Sequence, residues 1–180
     1  MRRALLLALS AGLLAADGAL AWQQPIVVYF VRHAERADDG TSDPPLSEAG
    51  LERSVLLTQM LSDAGVTHVH STDLKRTRQT GALLAARQGL PLAFYDPGDL
   101  GGLAEEVRAT PGRHLVLGHS NTTPEAVAAL GGEPGGPIDD AEYDRLYVVS
   151  VAPDGSVATV ILRYGALFEP SSEPPRGMGR

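Results

Sequence analysis

Cysteine is absent from all 180 residues. That excludes disulfides, thiolate metal ligands, a lipidated cysteine anchor and a cysteine nucleophile. Cationic residues are in deficit, 15 Lys and Arg against 22 Asp and Glu, for a net charge of −7. So acidic a chain is a poor match for nucleic acid or an anionic membrane surface, and neither is expected as a partner. A phosphate-binding GxxxxGK[ST] loop is missing, which removes the usual nucleotide cradle. Long apolar runs are missing too. The longest, "ALLLALSAGLLAA" at 4–16, has 13 residues, against roughly 20 for a bilayer span.

What is present begins with that run. Arg2 and Arg3 precede it, and Ala19-Leu20-Ala21 follows with small residues where a signal peptidase reads. Residues 1–21 therefore read as a signal peptide, with an uncleaved N-terminal anchor as the alternative. Residues 22–168 are long enough for one domain with its own core, and 169–180, "EPSSEPPRGMGR", reads as a tail without stable structure. The expected location is periplasmic or secreted, with no stable membrane association once the leader is removed.

Within the domain, strand patterns alternate with helix patterns. "PIVVYFV" (25–31) is continuously apolar and β-branched, as in a strand buried on both faces. A polar loop with two prolines (34–45) leads to a helix over 46–65, with Ser47 as N-cap and Gly65 as terminator. Leu51, Val55, Leu56, Met60 and Leu61 are assigned to its buried face. "VTHVHS" (66–71) reads as a second strand. A second helix over 72–89 is capped by Thr72 or Asp73, turns Leu83 and Leu84 inward and stops at Gly89. "LPLAFY" (90–95) is a short strand and 100–109 a short helix. "HLVLGHS" (114–120) is a buried strand. Thr123-Pro124-Glu125 starts a further helix with cap, N1 proline and acidic first turn. "RLYVVSVAPDGSVATVILRYG" (145–165) is a hairpin around Pro153-Asp154-Gly155. The fold class is α/β, a three-layer α/β/α sandwich whose mainly parallel sheet carries an antiparallel edge hairpin.

Ligands of such sheets collect at the carboxyl ends of the strands. Three ends here carry anion-seeking groups: Arg32-His33 after the first, Ser71 with Arg76 one helical turn beyond after the second, and Gly118-His119-Ser120 after the fourth. Guanidinium forks and a helix N-terminus suit a phosphoryl group. With no cysteine and no phosphate loop, imidazole is left as the nucleophile. Arg32 would grip the phosphate and His33 attack it.

"VRHAE", "STDLKRTRQT" and "LGHSN" resemble, in order and spacing, the three signature segments of the histidine phosphatase superfamily, also called phosphoglycerate-mutase-like. The resemblance covers most of residues 26–130. It implies a metal-independent phosphomonoesterase with a phosphohistidine on His33 and a phosphate pocket of Arg32, Arg76 and His119, walled by Ser71 and Ser120. It implies no cofactor, and a phosphorylated small molecule or phosphoprotein as substrate. Two departures concern the proton donor. Acid phosphatases of the superfamily carry Asp directly after the second histidine, where this chain has Ser120. The mutases and related phosphatases use a Glu in a long insertion after the third strand, whereas here that segment is short and its first carboxylate is Asp96. The donor is assigned to Asp96, then Asp99. Glu35 is a third candidate, better suited to pairing with a neighbouring arginine.

Other readings stay open. A module that binds phospho-ligands without turnover fits the missing donor. A metal-dependent hydrolase would use His68 and His70, in "HVHSTD", although the carboxylate is one place late and the following histidine is missing. Arg78 reads as surface charge, and His114 as the residue that opens a strand.

Overall fold

The computed structural model describes residues 25–170. The expected signal peptide and most of the expected tail lie outside them. The described elements, in order, are β1 (Ile26–Arg32), α1 (Glu48–Leu61), β2 (His68–Ser71), α2 (Lys75–Gln88), β3 (Leu92–Phe94), α3 (Leu100–Ala109), β4 (Arg113–Gly118), α4 (Thr122–Ala129), β5 (Arg145–Val151) and β6 (Val157–Arg163).

One six-stranded sheet has the order β3-β2-β4-β1-β5-β6. The pairs β3/β2, β2/β4 and β4/β1 are parallel, and β1/β5 and β5/β6 are antiparallel. On one face Val31, Val69, Leu115 and Leu117 pack with Leu57, Leu61 and Leu84 of α1 and α2. On the other, Phe30, Val116, Tyr147 and Val149 pack with Leu103, Val107 and Val127 of α3 and α4. This is the anticipated sandwich with its edge hairpin. β4 lies between β2 and β1, with Arg32 opposite Gly118 and Ser71 opposite Leu117. The three strand ends singled out in the sequence are therefore adjacent.

Most terminators behave as their residues dictate. Ser47 accepts the Gly50 N–H at 3.2 Å. Gly89 ends α2 in the left-handed region, φ +66°, and Leu90 N–H returns to Ala85 O, closing a Schellman turn. Two helix starts differ from expectation. α2 begins after Leu74, and neither Thr72 nor Asp73 caps it; the carboxylate of Asp43, from the proline-containing loop, accepts the Lys75 N–H instead. α4 begins at Thr122, so Pro124 is its third residue, and Thr122 Oγ1 accepts the His119 N–H.

The buried face of α1 also differs. Gly50, Arg53, Ser54, Leu57, Thr58 and Leu61 face inward, while Leu51 (51% exposed), Val55 (39%) and Met60 (42%) do not. A half-buried ion pair turns the helix: Arg53 Nε donates to both Glu35 carboxylate oxygens at 2.9 and 3.0 Å, and Nη1 donates to Tyr164 O at 2.7 Å. A bidentate charged contact outweighs a few half-exposed apolar side chains.

Candidate active site

His33 follows directly on β1 and is 4% exposed. Its backbone N–H donates to Gly118 O, and the next N–H, of Ala34, donates to Thr80 Oγ1 on α2. The ring is locked in turn. Nδ1 lies 2.8 Å from Ala34 O, which can only accept, so Nδ1 carries the proton and Nε2 the lone pair. Arg76 Nε, in the first turn of α2, donates to that Nε2 at 3.2 Å. The His119 ring stands edge-on to His33, with centroids 5.4 Å apart, and its Nε2 is 3.0 Å from Thr72 Oγ1.

Burial pushes the His33 pKa down to about 3, against a smaller opposing pull from the Ala34 carbonyl, and Arg32, Arg76 and His119 lower it further. Desolvation, more than the neighbouring cations, keeps the nucleophilic nitrogen free. His119 is held at about 4 by burial, then by Arg76 and Arg32, so it too is neutral in the resting site.

Arg32 is 6% exposed and anchored from one side only. Its Nη1 donates to the carbonyls of Asp139, Asp140 and Glu142 at 2.8, 2.9 and 3.0 Å, and the Tyr143 ring stacks on the guanidinium at 4.1 Å. The loop providing these contacts is itself braced: Glu142 is 3% exposed and ion-paired to Arg145 and Arg163. Arg32 Nε and Arg76 Nη1 are buried without hydrogen-bond partners among the described residues. Asp43 is near the latter, 3.8 Å away, beyond hydrogen-bond reach. Burial lowers the pKa of both guanidiniums, and nearby Arg36 lowers both further. Two unspent donors on crowded cations beside an imidazole lone pair can receive a tetrahedral anion.

The fold thus brings Arg32, His33, Arg76 and His119 together, with Ser120 at the rim. Other candidates are placed elsewhere or spent. Ser71 is fully buried and its hydroxyl is spent on Thr72 O. Glu35 is committed to Arg53, its structural reading. Asp99 is the N-cap of α3, and Asp96 is exposed and accepts the Gly98 N–H of its own turn. Arg78 pairs with Asp73 on the surface. His68, His70 and His114 form a separate stack on the α3 side of β2 and β4, with rings 14–23° from parallel. His70 Nε2 is used on His114 Nδ1 at 3.0 Å, and His114 Nε2 on Thr110 O at 2.9 Å. Stacked rings bonded to one another cannot aim three lone pairs at one ion, so the metal-hydrolase reading has no ligand set among the described residues.

Sequence reasoning gave Thr72 only a capping role and passed over Arg36, Asp140 and Tyr143. A signal existed for the last two. β5 runs antiparallel to β1, so residues just before it, "DDAEYD", arrive at the same sheet edge as the ends of the parallel strands.

Comparison with known proteins is consistent with this geometry. The sequence profile of the histidine phosphatase superfamily (branch 1) matches residues 28–98, which hold the first two segments. A relative from Yersinia pestis (strain Pestoides F), named "Probable phosphoglycerate mutase GpmB", is 41% identical over 71 residues. That match covers 36% of this chain and only 33% of the relative. The protein histidine phosphatase SixA, solved with tungstate, superposes with a TM-score of 0.62 at 21% identity, over 76% of this chain and 96% of SixA. A mycobacterial glucosyl-3-phosphoglycerate phosphatase gives 0.59 at 17% identity, over 79% and 100%. At such identities the structural likeness speaks for the fold, and the motif-bearing stretch speaks for descent. Residues 28–98 thus carry the likeness to the histidine phosphatase superfamily, and the described domain as a whole shares the fold of these solved phosphatases.

Proposed function

We propose that the protein is a metal-independent phosphomonoesterase working through a phosphohistidine on His33. The locked ring of His33 carries this reading: its proton sits on Nδ1, its lone pair on Nε2, and the unspent donors of Arg32 and Arg76 belong to the same cluster. A bound phosphate would take the Arg76 N–H that now rests on Nε2, freeing the lone pair as the phosphorus arrives. Nε2 attacks, the ester P–O bond breaks, and the guanidiniums hold the charge that spreads over the equatorial oxygens. Water then attacks the phosphohistidine and returns the electron pair to Nε2.

The names of the structural neighbours, a protein histidine phosphatase and a sugar-phosphoglycerate phosphatase, support a phosphorylated substrate. Only residues 95–99 separate β3 from α3, so no long segment from that side covers the site, which favours hydrolysis in an open cleft over a mutase's retained intermediate. Export belongs to the same proposal and rests on Arg2, Arg3 and the apolar run at 4–16. Intact mass of the protein recovered from an export-competent host should show Trp22 as the first residue.

The test of mechanism is direct. Turnover of p-nitrophenyl phosphate should survive EDTA, be inhibited by vanadate and leave an acid-labile, base-stable phosphoryl group on His33 in rapidly quenched enzyme. A label on another residue, or activity lost to EDTA and restored by zinc, overturns the proposal.

A further inference from the structure

Around the phosphate cluster, nearly every carboxylate is committed. Glu35 holds Arg53, Asp43 holds the start of α2, Asp139 accepts the Ala141 N–H, and Glu142 lies between Arg145 and Arg163. Asp96 and Asp99 serve their own turn and helix. Asp140 differs. Its backbone carbonyl is one of the three that hold Arg32 Nη1, which ties its position to the phosphate-gripping arginine. Its side chain is 98% exposed, with Oδ1 3.9 Å from Arg32 Nη2, too far for a hydrogen bond. Ser120 Oγ, from the residue after His119, donates to the same oxygen at 3.5 Å. One carboxylate therefore bridges the two segments that flank the cluster, and its only hydrogen-bond contact among the described residues is long.

We propose that Asp140, steadied by Ser120, is the general acid of the reaction and that the site accordingly accepts monoesters of ordinary alcohols as well as activated aryl esters. The proposal rests on the phosphohistidine reading above. In the first step the His33 Nε2 lone pair forms the N–P bond and the ester P–O bond breaks. The leaving oxygen takes that electron pair and the proton of the Asp140 carboxyl. In the second, the Asp140 carboxylate takes a proton from water while the water oxygen attacks phosphorus. The N–P bond then breaks back to Nε2, phosphate leaves, and Asp140 is again protonated. An alkoxide needs such a proton far more than a nitrophenolate does, so the two ester classes separate this role from every other.

Asp140→Asn keeps the backbone carbonyl that holds Arg32. It should lower kcat/KM on glycerol 2-phosphate by about 10²-fold, in line with loss of a general acid. It should leave kcat/KM on p-nitrophenyl phosphate, which is set before the water step, nearly unchanged while lowering kcat; kcat/KM is the quantity compared throughout. Asp96→Asn should leave the ratio of the two substrates unaltered. Adding Ser120→Asp to Asp140→Asn puts a carboxylate within reach of the same spot and should restore part of the alkyl activity. Equal losses on both substrates would mean that Asp140 acts only by holding Arg32, and no loss on either would mean that it does nothing; each overturns the proposal. Wild-type enzyme that forms no phosphohistidine on His33 overturns the underlying reading and this one with it, and that result is read without the variant.

Discussion

His33 with the half-buried His119, and His70 with His114, are two pairs of desolvated imidazoles in one small domain. Burial is the leading cause in all four of a pKa depressed to about 4, or about 3 for His33. By those measures the pairs look alike. They differ in what their nitrogens do. In the inner pair the polarity runs one way: His114 Nε2–H gives to Thr110 O, which makes His114 Nδ1 an acceptor for His70 Nε2–H, and His70 Nδ1 is left facing Glu106 at 3.9 Å. At the sheet edge the corresponding lone pair, on His33 Nε2, faces a guanidinium that has another donor to give. Desolvation alone does not mark a reactive site; unspent polar atoms beside it do.

The largest test of this contrast is replacement of one histidine from each pair. His33→Ala should lower kcat/KM on the order of 10⁴-fold or more, as for loss of a nucleophile that works as one unit with its neighbours. His114→Ala should leave turnover intact. Next in size, Arg76→Ala should cost about 10²-fold, as for a charge-stabilising donor. Arg76→Lys should recover little, because an ammonium cannot address Nε2 and a phosphate oxygen as a fork. Equal kinetic losses from His33→Ala and His114→Ala would dissolve the distinction.

The inner pair should answer in stability. His114→Leu strands the His70 N–H and should cost about 1–3 kcal/mol in denaturant titration, whereas replacing both rings by leucine should cost less than the single change. A pH series sharpens this. The four depressed imidazoles resist protons in the fold down to about 4 or below, while the unfolded chain takes them up from the ordinary value of 6.5. Stability is therefore fully present above pH 6.5 and should fall as pH drops from there through 4 and, for the His33 contribution, on to about 3. The double leucine variant should show a shallower fall, and an unchanged slope would assign the whole effect to the sheet-edge pair. The smallest expected effect is at Tyr143. Tyr143→Phe keeps the ring over Arg32 and should be nearly silent, while Tyr143→Ala loses a cation–π contact of about 0.5–2 kcal/mol and should raise KM a few-fold.

The strand ends of this fold were readable because charge interrupts apolar runs there: Arg32 after "IVVYFV", His119 after "LVLG". Strand alternation then predicted a shared edge, and the order β2-β4-β1 delivers it. Two things escaped. The rotation of α1 follows from Arg53 reaching across to Glu35 and to the carbonyl of Tyr164, a contact between residues 111 apart that no local periodicity encodes. The acidic loop before β5 has no motif, and its hold on Arg32 comes from backbone carbonyls, which every residue possesses. Thr72 was read as a helix cap, a sound local choice, but its hydroxyl meets His119 from another strand.

Gly50 in the first turn of α1 has a consequence for how this site could be altered from a distance. The Glu35 carbonyl accepts the Ser47 N–H at 2.9 Å, and any β-carbon at position 50 would collide with that same oxygen. Helix and loop meet backbone to backbone, two residues past His33, with no side chain between them to absorb displacement. A methyl group added there cannot be accommodated by a rotamer change; the peptide itself has to move. Gly50→Ala thus acts as a wedge whose thrust is delivered along the chain toward the nucleophile, so a helix that never touches phosphate sets the aim of the ring that does.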